Sequence, residues 1–363
     1  QLQPATAPAE AAVEAPPAAP DWANELIKEM LRPLRPREDF CQVSVVSFNM
    51  LLRGFEEDPY EAVPAALCAW AARRPRLRQL LSSVDADVYC MQEVQVGSFE
   101  EDFAFLKAAG YAAVEPRDPK GGNKSTIAKC AIFYKANRLE LVWREHRSRV
   151  VLAALKHVSS GRLFYVVNCH LEGAPWKAAA RFNQIKSALD RLHADQHSRG
   201  LDPETCPLFV LGDFNCCEDS AVCHCLRSGS LPASFRDPWA PDDEITATDY
   251  KHQYGLDDLY GDRVMGSTGG DSSRLPTFCA PLDDQEPTFT AIDYVFFSHR
   301  SLRPVAVRKP FTNRQLAATE GVGIPSHWHF SDHVPVGGIF EFRSTDRAAD
   351  PGGGQITTDV DML

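Results

Sequence analysis

Leu208-Phe209-Val210-Leu211-Gly212-Asp213-Phe214-Asn215 decides the reading of this chain. Four consecutive apolar residues form a short strand buried on both faces. Gly212 interrupts the run. Asp213 and Asn215 follow two residues apart, on one face if the segment stays extended. Alone this is a Gly-Asp turn after a strand, but the construction recurs along the chain. Ser47-Phe48-Asn49 closes an apolar run at 43–48, and Met91-Gln92-Glu93 closes one at 88–91. Ile292-Asp293-Tyr294 lies in a run at 291–297, and Ser331-Asp332-His333 shortly precedes another at 336–342. Strands would deliver all five motifs to one sheet edge.

Helical and strand patterns alternate around these motifs, which makes the chain α/β. Helices are expected at 67–83, with a break or start at Pro75, at 99–109, and at 176–197, where Ile185, Leu189 and Leu192 keep helical spacing. Further strands are expected at 130–134 and 139–142. Runs at 150–157 and 163–169 flank Ser159-Ser160-Gly161 as a hairpin. Polar loops are expected at 116–128 and 241–288. The Ala/Pro-rich residues 1–20 read as a disordered leader, 21–40 as a short helix and linker, 41–343 as one domain, and 344–363 as a disordered tail.

The chain has 363 residues, 44% of them hydrophobic, and a net charge of −11. This argues against a broad basic face for gripping nucleic acid. No run approaches the roughly 20 apolar residues of a membrane span. Eleven cysteines, an odd number scattered through apolar stretches, point to a reducing compartment rather than a disulfide framework. An intracellular, cytoplasmic location is the first expectation. The chain begins at Gln1, so the natural N-terminus is expected to lie upstream, and an organelle or the nucleus stays open. The cluster Cys216, Cys217, Cys223, His224 and Cys225 lacks the spacing of paired zinc knuckles.

These side chains suit a hard cation and a phosphate ester. Glu93 at a buried strand end needs a cation, and magnesium prefers carboxylate oxygen plus substrate phosphate; the bland alternative is an Arg partner. Asn49 can brace the metal's carboxylate without adding charge. Asp213 can orient or deprotonate water, and Asn215 can hold a phosphate oxygen. Asp293 is the candidate partner that fixes the tautomer of His333, and Asp332 is a second metal-side carboxylate. His170, in Asn168-Cys169-His170-Leu171, can donate to the scissile phosphate. A zinc site from His327, His329 and His333 is the rival arrangement.

Together these residues resemble the endonuclease/exonuclease/phosphatase superfamily, with the deoxyribonuclease I fold, over nearly all of 41–343. Cys130-Ala131-Ile132-Phe133-Tyr134, Asn168-Cys169-His170-Leu171, Leu211-Gly212-Asp213-Phe214-Asn215 and Ile292-Asp293-Tyr294-Val295-Phe296 are laid out like the branch of carbon-catabolite-repression-type deadenylases, nocturnin and the Angel proteins. The resemblance implies a four-layer α/β/β/α sandwich of two packed mixed sheets flanked by helices, with the site where the loops of the sheets meet. It implies magnesium, with manganese as a substitute, held by Glu93 with Asn49 and Asp332. It further implies catalysis by His170, Asp213, Asn215, Asp293 and His333, and an adenine clamp made by Pro175 and Phe289. Two departures stand out: Ala128-Lys129 precede Cys130 where the branch usually has Asp-Gly, and Ala174 stands where nocturnin has a phosphate-gripping Arg. The sequence contains no leucine-rich repeat for docking to a deadenylase scaffold.

The leading expectation is a 3′-to-5′ exoribonuclease on adenosine-rich single-stranded RNA. A nucleotide phosphatase or 2′-phosphodiesterase, acting on NADP-like or 2′,5′-oligoadenylate substrates, is the alternative with the same site and another pocket. A catalytically dead binding module is a third reading, which predicts a lost site residue.

Overall fold

The computed structural model describes residues 21–37, 41–57, 60, 63–117, 128–265, 275–280, 288–309, 324–326, 329–343 and 361–362. Two sheets form its centre. The first has seven strands in the order Asp361–Met362, Leu302–Val307, Val336–Phe342, Gln42–Asn49, Val88–Gln95, Ala128–Lys135, Tyr111–Val114. The second has six, in the order Leu256–Asp258, Asp293–Ser298, Leu208–Asp213, Leu163–His170, Val150–His157, Leu139–His146. Both are mixed: Gln42–Asn49 runs parallel to Val88–Gln95, and Leu163–His170 parallel to Leu208–Asp213, among antiparallel neighbours.

The alternation of side chains along each strand builds the layers. Val43 and Val45 face the second sheet, while Val46 and Phe48 face helices. Phe209 and Leu211 point inward to the first sheet, and Leu208 and Val210 point outward. Helices Trp70–Val84 and Phe99–Ala108 cover the outer face of the first sheet with Leu77, Leu81 and Phe103. Helices Ala178–Ser198 and Ala221–Ser228 cover the second with Ile185, Leu189 and Val222. The central strands are therefore buried on both faces, which is why they read as unbroken apolar runs. The expected α/β/β/α sandwich is the observed one.

Several local expectations change. The helix expected at 67–83 is two helices, Ala65–Cys68 and Trp70–Val84, separated at Ala69 rather than at Pro75. Ala69 has ψ 132°, and its carbonyl accepts from the N–H groups of Ala72 and Arg73 to start the second helix. Pro75 forgoes one helical bond inside it. Strand Leu302–Val307 was not expected: Pro304 sits in it beside a bulge, and proline in a run argues against a strand. The stretch 241–288 is not structureless where described. It contains strands Tyr250–Lys251, Leu256–Asp258 and Phe278–Ala280 and helix Asp262–Met265, all too short to show periodicity.

Helix Asp21–Met30 forms within the segment read as helix and linker, and Met30 and Leu34 join the core of the first sheet. The leader 1–20 and most of the loop 116–128 lie outside the described residues. Of the tail 344–363, Asp361 and Met362 pair with Ala306 and Val307, and the others lie outside the described residues. All eleven cysteines are free. Cys216, Cys223 and Cys225 are buried in apolar surroundings around helix Ala221–Ser228, whose N-terminus Ser220 caps. Among the described residues no helix is long and apolar enough to cross a membrane.

Candidate active site

The strand ends deliver the predicted residues to one place, from two facing sheets rather than one sheet edge. In the second sheet, Asp293 lies opposite Asp213 across an antiparallel ladder, and His170 lies beside Asp213 across a parallel one. The three are neighbouring rungs. In the first sheet, Asn49 ends its strand beside Gln92. Glu93 sits at an irregularity between Met91 and Val94, with φ 59°. Asp332 and His333 come from the loop before Val336–Phe342. A left-handed, non-glycine backbone costs about 1–3 kcal/mol and clusters at functional sites. Leu51 (φ 56°), Glu93 and Asn215 (φ 51°) all border this one.

Two features fix the register of the sheets beneath it. Gly212 has φ 138°, and a Cβ there would lie 2.0 Å from the Cys169 carbonyl oxygen, so only glycine lets Asp213 come up beside His170. Gln92 and Asn168 bridge the sheets: Gln92 Nε2 donates to Asn168 Oδ1 (2.7 Å), and Asn168 Nδ2 donates to the Met91 and Ala131 carbonyls at 3.0 and 2.9 Å. This buried pair ties the Glu93 strand to the His170 strand, a role the sequence did not reveal.

Asn49 braces the two central carboxylates. Its Nδ2 donates to Glu93 Oε1 (3.1 Å) and Asp213 Oδ2 (3.0 Å), and its Oδ1 accepts from the Leu51 N–H (3.1 Å). Glu93 Oε2 accepts from the Leu52 N–H at 2.7 Å. That loop is pinned by the buried Arg73, which donates to the carbonyls of Leu51, Leu52 and Cys68. His170 Nε2 stands 3.9 Å from Glu93 Oε1 and 3.7 Å from Asp213 Oδ2, and His333 Nε2 stands 3.6 Å from Asp213 Oδ2. These are ion-pair rather than hydrogen-bond separations, so both imidazoles converge on the carboxylate oxygen with room between. His333 Nδ1 bonds Asp293 Oδ2 at 2.8 Å, as expected.

Asn215 corrects the expected extended segment. The chain turns after Asp213, whose Oδ1 accepts from the Asn215 N–H at 2.9 Å, and Asn215 Nδ2 donates to the Leu171 carbonyl at 3.1 Å. A carboxylate bonding the N–H two residues on is an Asx turn, which competes with strand extension. Asp332 Oδ2 accepts from Tyr60 Oη at 2.7 Å. Tyr60 comes from a loop with no motif to mark it. Phe278 packs on the His333 ring, with centroids 5.0 Å apart. Pro175 is exposed, and Phe289 is half-buried against the core of the first sheet.

The field here is set by burial against charge. Burial raises Asp213, and nearby Asp293 adds to this against the pull of His333, leaving its carboxyl above the ordinary value. Burial likewise raises Asp332, with Glu93 adding. Burial also opposes ionisation of Glu93, but His170, the Asn49 amide and the Leu52 N–H bring it below the ordinary value. For His333, burial opposes the charge, yet Asp293, Asp213 and Asp332 outweigh it and hold the imidazolium well above its ordinary pKa.

Does this set suit a divalent metal? Among the described residues no three His, Cys, Asp or Glu side chains form a ready-made cage. Magnesium does not need one, since it binds through one or two carboxylates, water and substrate phosphate. Glu93 fits that role: its side chain is 22% exposed against 2% for Asp213, and its carboxylate is ionised and held from behind. Asn49 braces this ligand, its own amide oxygen being engaged by Leu51.

His329 is not a metal ligand in this arrangement: its Nε2 lies 2.5 Å from the His333 carbonyl oxygen. His327 lies outside the described residues. Burial pushes the His329 pKa down to about 4, so it folds neutral, whereas an unfolded histidine takes a proton near pH ~6.5. Its stabilisation is full above that value and is lost as the pH falls toward about 4, up to ~3 kcal/mol. Thermal melts should show a steep loss over this window that His329→Gln flattens; parallel profiles for the two proteins would contradict this assignment.

Comparison with known proteins agrees with this geometry. A sequence model described as Endonuclease/Exonuclease/phosphatase family matches residues 46–333. The chain is similar to the CCR4-Not complex 3′-5′-exoribonuclease subunit Ccr4 of Kluyveromyces lactis, 26% identical over 338 residues that cover 82% of this chain and 41% of the relative. It is 23% identical to the Ccr4 subunit of Saccharomyces cerevisiae, covering 84% and 39%. The chain thus spans about two fifths of the length of these curated relatives. Among solved structures, ANGEL2, described as a 2′,3′-cyclic phosphatase, superposes with TM-score 0.69 at 20% identity, covering 84% of this chain and 96% of that one. The human Nocturnin catalytic domain with bound sulfate gives TM-score 0.59 at 19% identity, covering 87% and 99%. At these identities the two structures speak for the fold.

Proposed function

From its membership of the endonuclease/exonuclease/phosphatase family, to which this chain belongs, we propose that it is a magnesium-dependent 3′-to-5′ exoribonuclease that removes 5′-nucleotides from adenosine-rich single-stranded RNA. The observation that carries the reading is the placement of the buried Asp213 carboxylate between two histidines and the Asn49–Glu93 pair. The similarity to Ccr4 exoribonuclease subunits supports RNA as the substrate.

In this reading Asp213, its basicity increased by burial, takes the proton of a water that attacks phosphorus. The new P–O bond forms in line with the P–O3′ bond that breaks, giving a 5′-phosphate on the departing nucleotide and a 3′-hydroxyl on the shortened RNA. His333, kept charged by Asp293, and His170 donate to the phosphate oxygens where negative charge grows. Glu93 would hold magnesium, which would supply further neutralisation of that charge.

The test is turnover by the purified chain on 5′-labelled oligo(A), oligo(U), 2′,5′-oligoadenylate and NADP, with magnesium or manganese. A descending ladder from oligo(A) that is much weaker with oligo(U) is the expected result. Phosphate release from NADP with oligo(A) left intact would transfer the site to a nucleotide phosphatase. Base preference is assigned to Pro175 and Phe289. Phe289→Ala is therefore expected to lower kcat/KM on oligo(A) by roughly 10-fold, the ~1–3 kcal/mol of one stacked base, and to change oligo(U) less. Equal losses on both polymers would remove Phe289 from base recognition.

A further inference from the structure

Although the chain carries a net charge of −11, one wall beside this site is basic. A cavity of ≈ 910 Å³ is lined by Arg117, Lys129, Arg147 and Arg149, with His170 at the same wall and, among the described residues, no Asp or Glu in its lining. Two of these cations are held in place. Arg147 bonds Ser187 Oγ of the helix Ala178–Ser198 at 2.7 and 3.1 Å, and Arg149 Nη2 pairs with Glu172 at 3.2 Å. The Arg149 carbonyl accepts from the His170 N–H at 3.0 Å, so the basic wall is joined by backbone to a residue of the site. The buried Cys130 thiol stands between the two regions: burial and then Asp213 push it up, to about 12, while Lys129 and Arg149 pull the other way.

Strand order fixes which side of the site the cavity occupies. The second sheet runs from Asp293 through Asp213 to His170, and then to Val150–His157 and Leu139–His146. The cavity is on the His170 flank, with residues of those last two strands in its wall. The Phe278 ring, packed on His333, is on the opposite flank. A strand of nucleic acid that passes from the His333 side across Asp213 meets the cations on the His170 side. Among the described residues no Phe, Tyr or Trp lines the cavity, so these residues offer phosphate contacts without a stacking platform for bases. Its Lys129 is also one of the two residues by which this chain departs from the Asp-Gly pattern before Cys130.

We propose that this cavity is a subsite for the backbone phosphates of the nucleotides upstream of the scissile bond, and that it reads charge and length but not base. The proposal rests on the exoribonuclease reading and adds that the substrate is an oligonucleotide rather than a mononucleotide. Such phosphate contacts release counterions, so each one adds roughly 0.7 to the slope of log affinity against log salt for a single strand.

The experiment has two readouts. The first is kcat/KM on 5′-labelled oligo(A) of two to ten nucleotides at several salt concentrations. The second is anisotropy of labelled oligo(A), oligo(U) and an adenosine mononucleotide with a second phosphate, without added metal. Wild type is compared with Lys129→Gln/Arg147→Gln and, separately, with Ser187→Asp, which puts a negative charge on the same wall from the helix. In wild type, kcat/KM should rise with length. Both variants should shrink that advantage and flatten the salt slope, by roughly 1.4 for the double variant, equally for oligo(A) and oligo(U). Retention of the wild-type length advantage and slope in both variants overturns the proposal, as does mononucleotide binding as tight as decamer binding. Should no oligonucleotide be cleaved, the exoribonuclease reading fails by itself. Anisotropy then decides the cavity separately: binding of the decamer that depends on Lys129 and Arg147 upholds the phosphate subsite, and binding indifferent to them removes it.

Discussion

Asp213→Asn is expected to lower kcat on oligo(A) by about 10²–10⁴-fold, the usual contribution of a general base, and to leave the melting temperature little changed. Both expectations follow from the surroundings of the carboxylate. Asp213 is buried, is raised by that burial and by Asp293, and shares its surroundings with the Glu93 and Asp332 carboxylates. An amide of the same shape removes one desolvated charge and relieves repulsion, but its NH2 must face either Asn49 Nδ2 or the Asn215 N–H, both of which now donate to the carboxylate, so the gain is offset. Thermal melting beside steady-state kinetics reads both effects. A full-rate Asp213→Asn enzyme would remove this residue from the reaction. A large drop in melting temperature would instead show that the carboxylate is needed for the fold.

Asp293→Asn should cost about 10²–10³-fold in kcat, on the scale of losing one preorganised donor to developing charge, and should also move the pH profile. His333 works as a cation in this account. Burial opposes its charge, and Asp293 is foremost among the carboxylates that restore it. The folded pKa lies above the unfolded value near ~6.5, so the imidazolium and its stabilisation are present below that value and are lost as pH rises through the folded one. Removing the Asp293 charge brings the folded pKa down, and the alkaline limb of kcat/KM should shift to lower pH. An alkaline limb at the same position in the variant would mean that another group sets it.

What the sequence disclosed was whatever a strand carries at its end. Asn49, Glu93, His170, Asp213 and Asp293 were legible because each interrupts or bounds an apolar run, and the structure places all five together. Elements that depend on tertiary contact were not. The Gln92–Asn168 bridge joins residues 76 apart, and neither side chain has a local pattern. Tyr60 reaches Asp332 across 272 residues. Arg73 looks like any helix-surface cation in sequence but is fully buried, because carbonyls of the loop after Asn49 need a donor. Asn215 misled, since an Asx turn and a continued strand share the same residues until the carboxylate claims the backbone N–H. Phe278 lies in a strand of three residues, too short for alternation to show.

The most direct measurement of the central claim is magnesium-dependent hydrolysis of oligo(A) by the intact chain in ¹⁸O-labelled water, with mass analysis of the released nucleotide. The account predicts 5′-AMP carrying one ¹⁸O on its phosphate, formed only with the divalent metal and lost in Asp213→Asn. Products ending in a 3′-phosphate or a 2′,3′-cyclic phosphate, or turnover indifferent to Asp213, would contradict it.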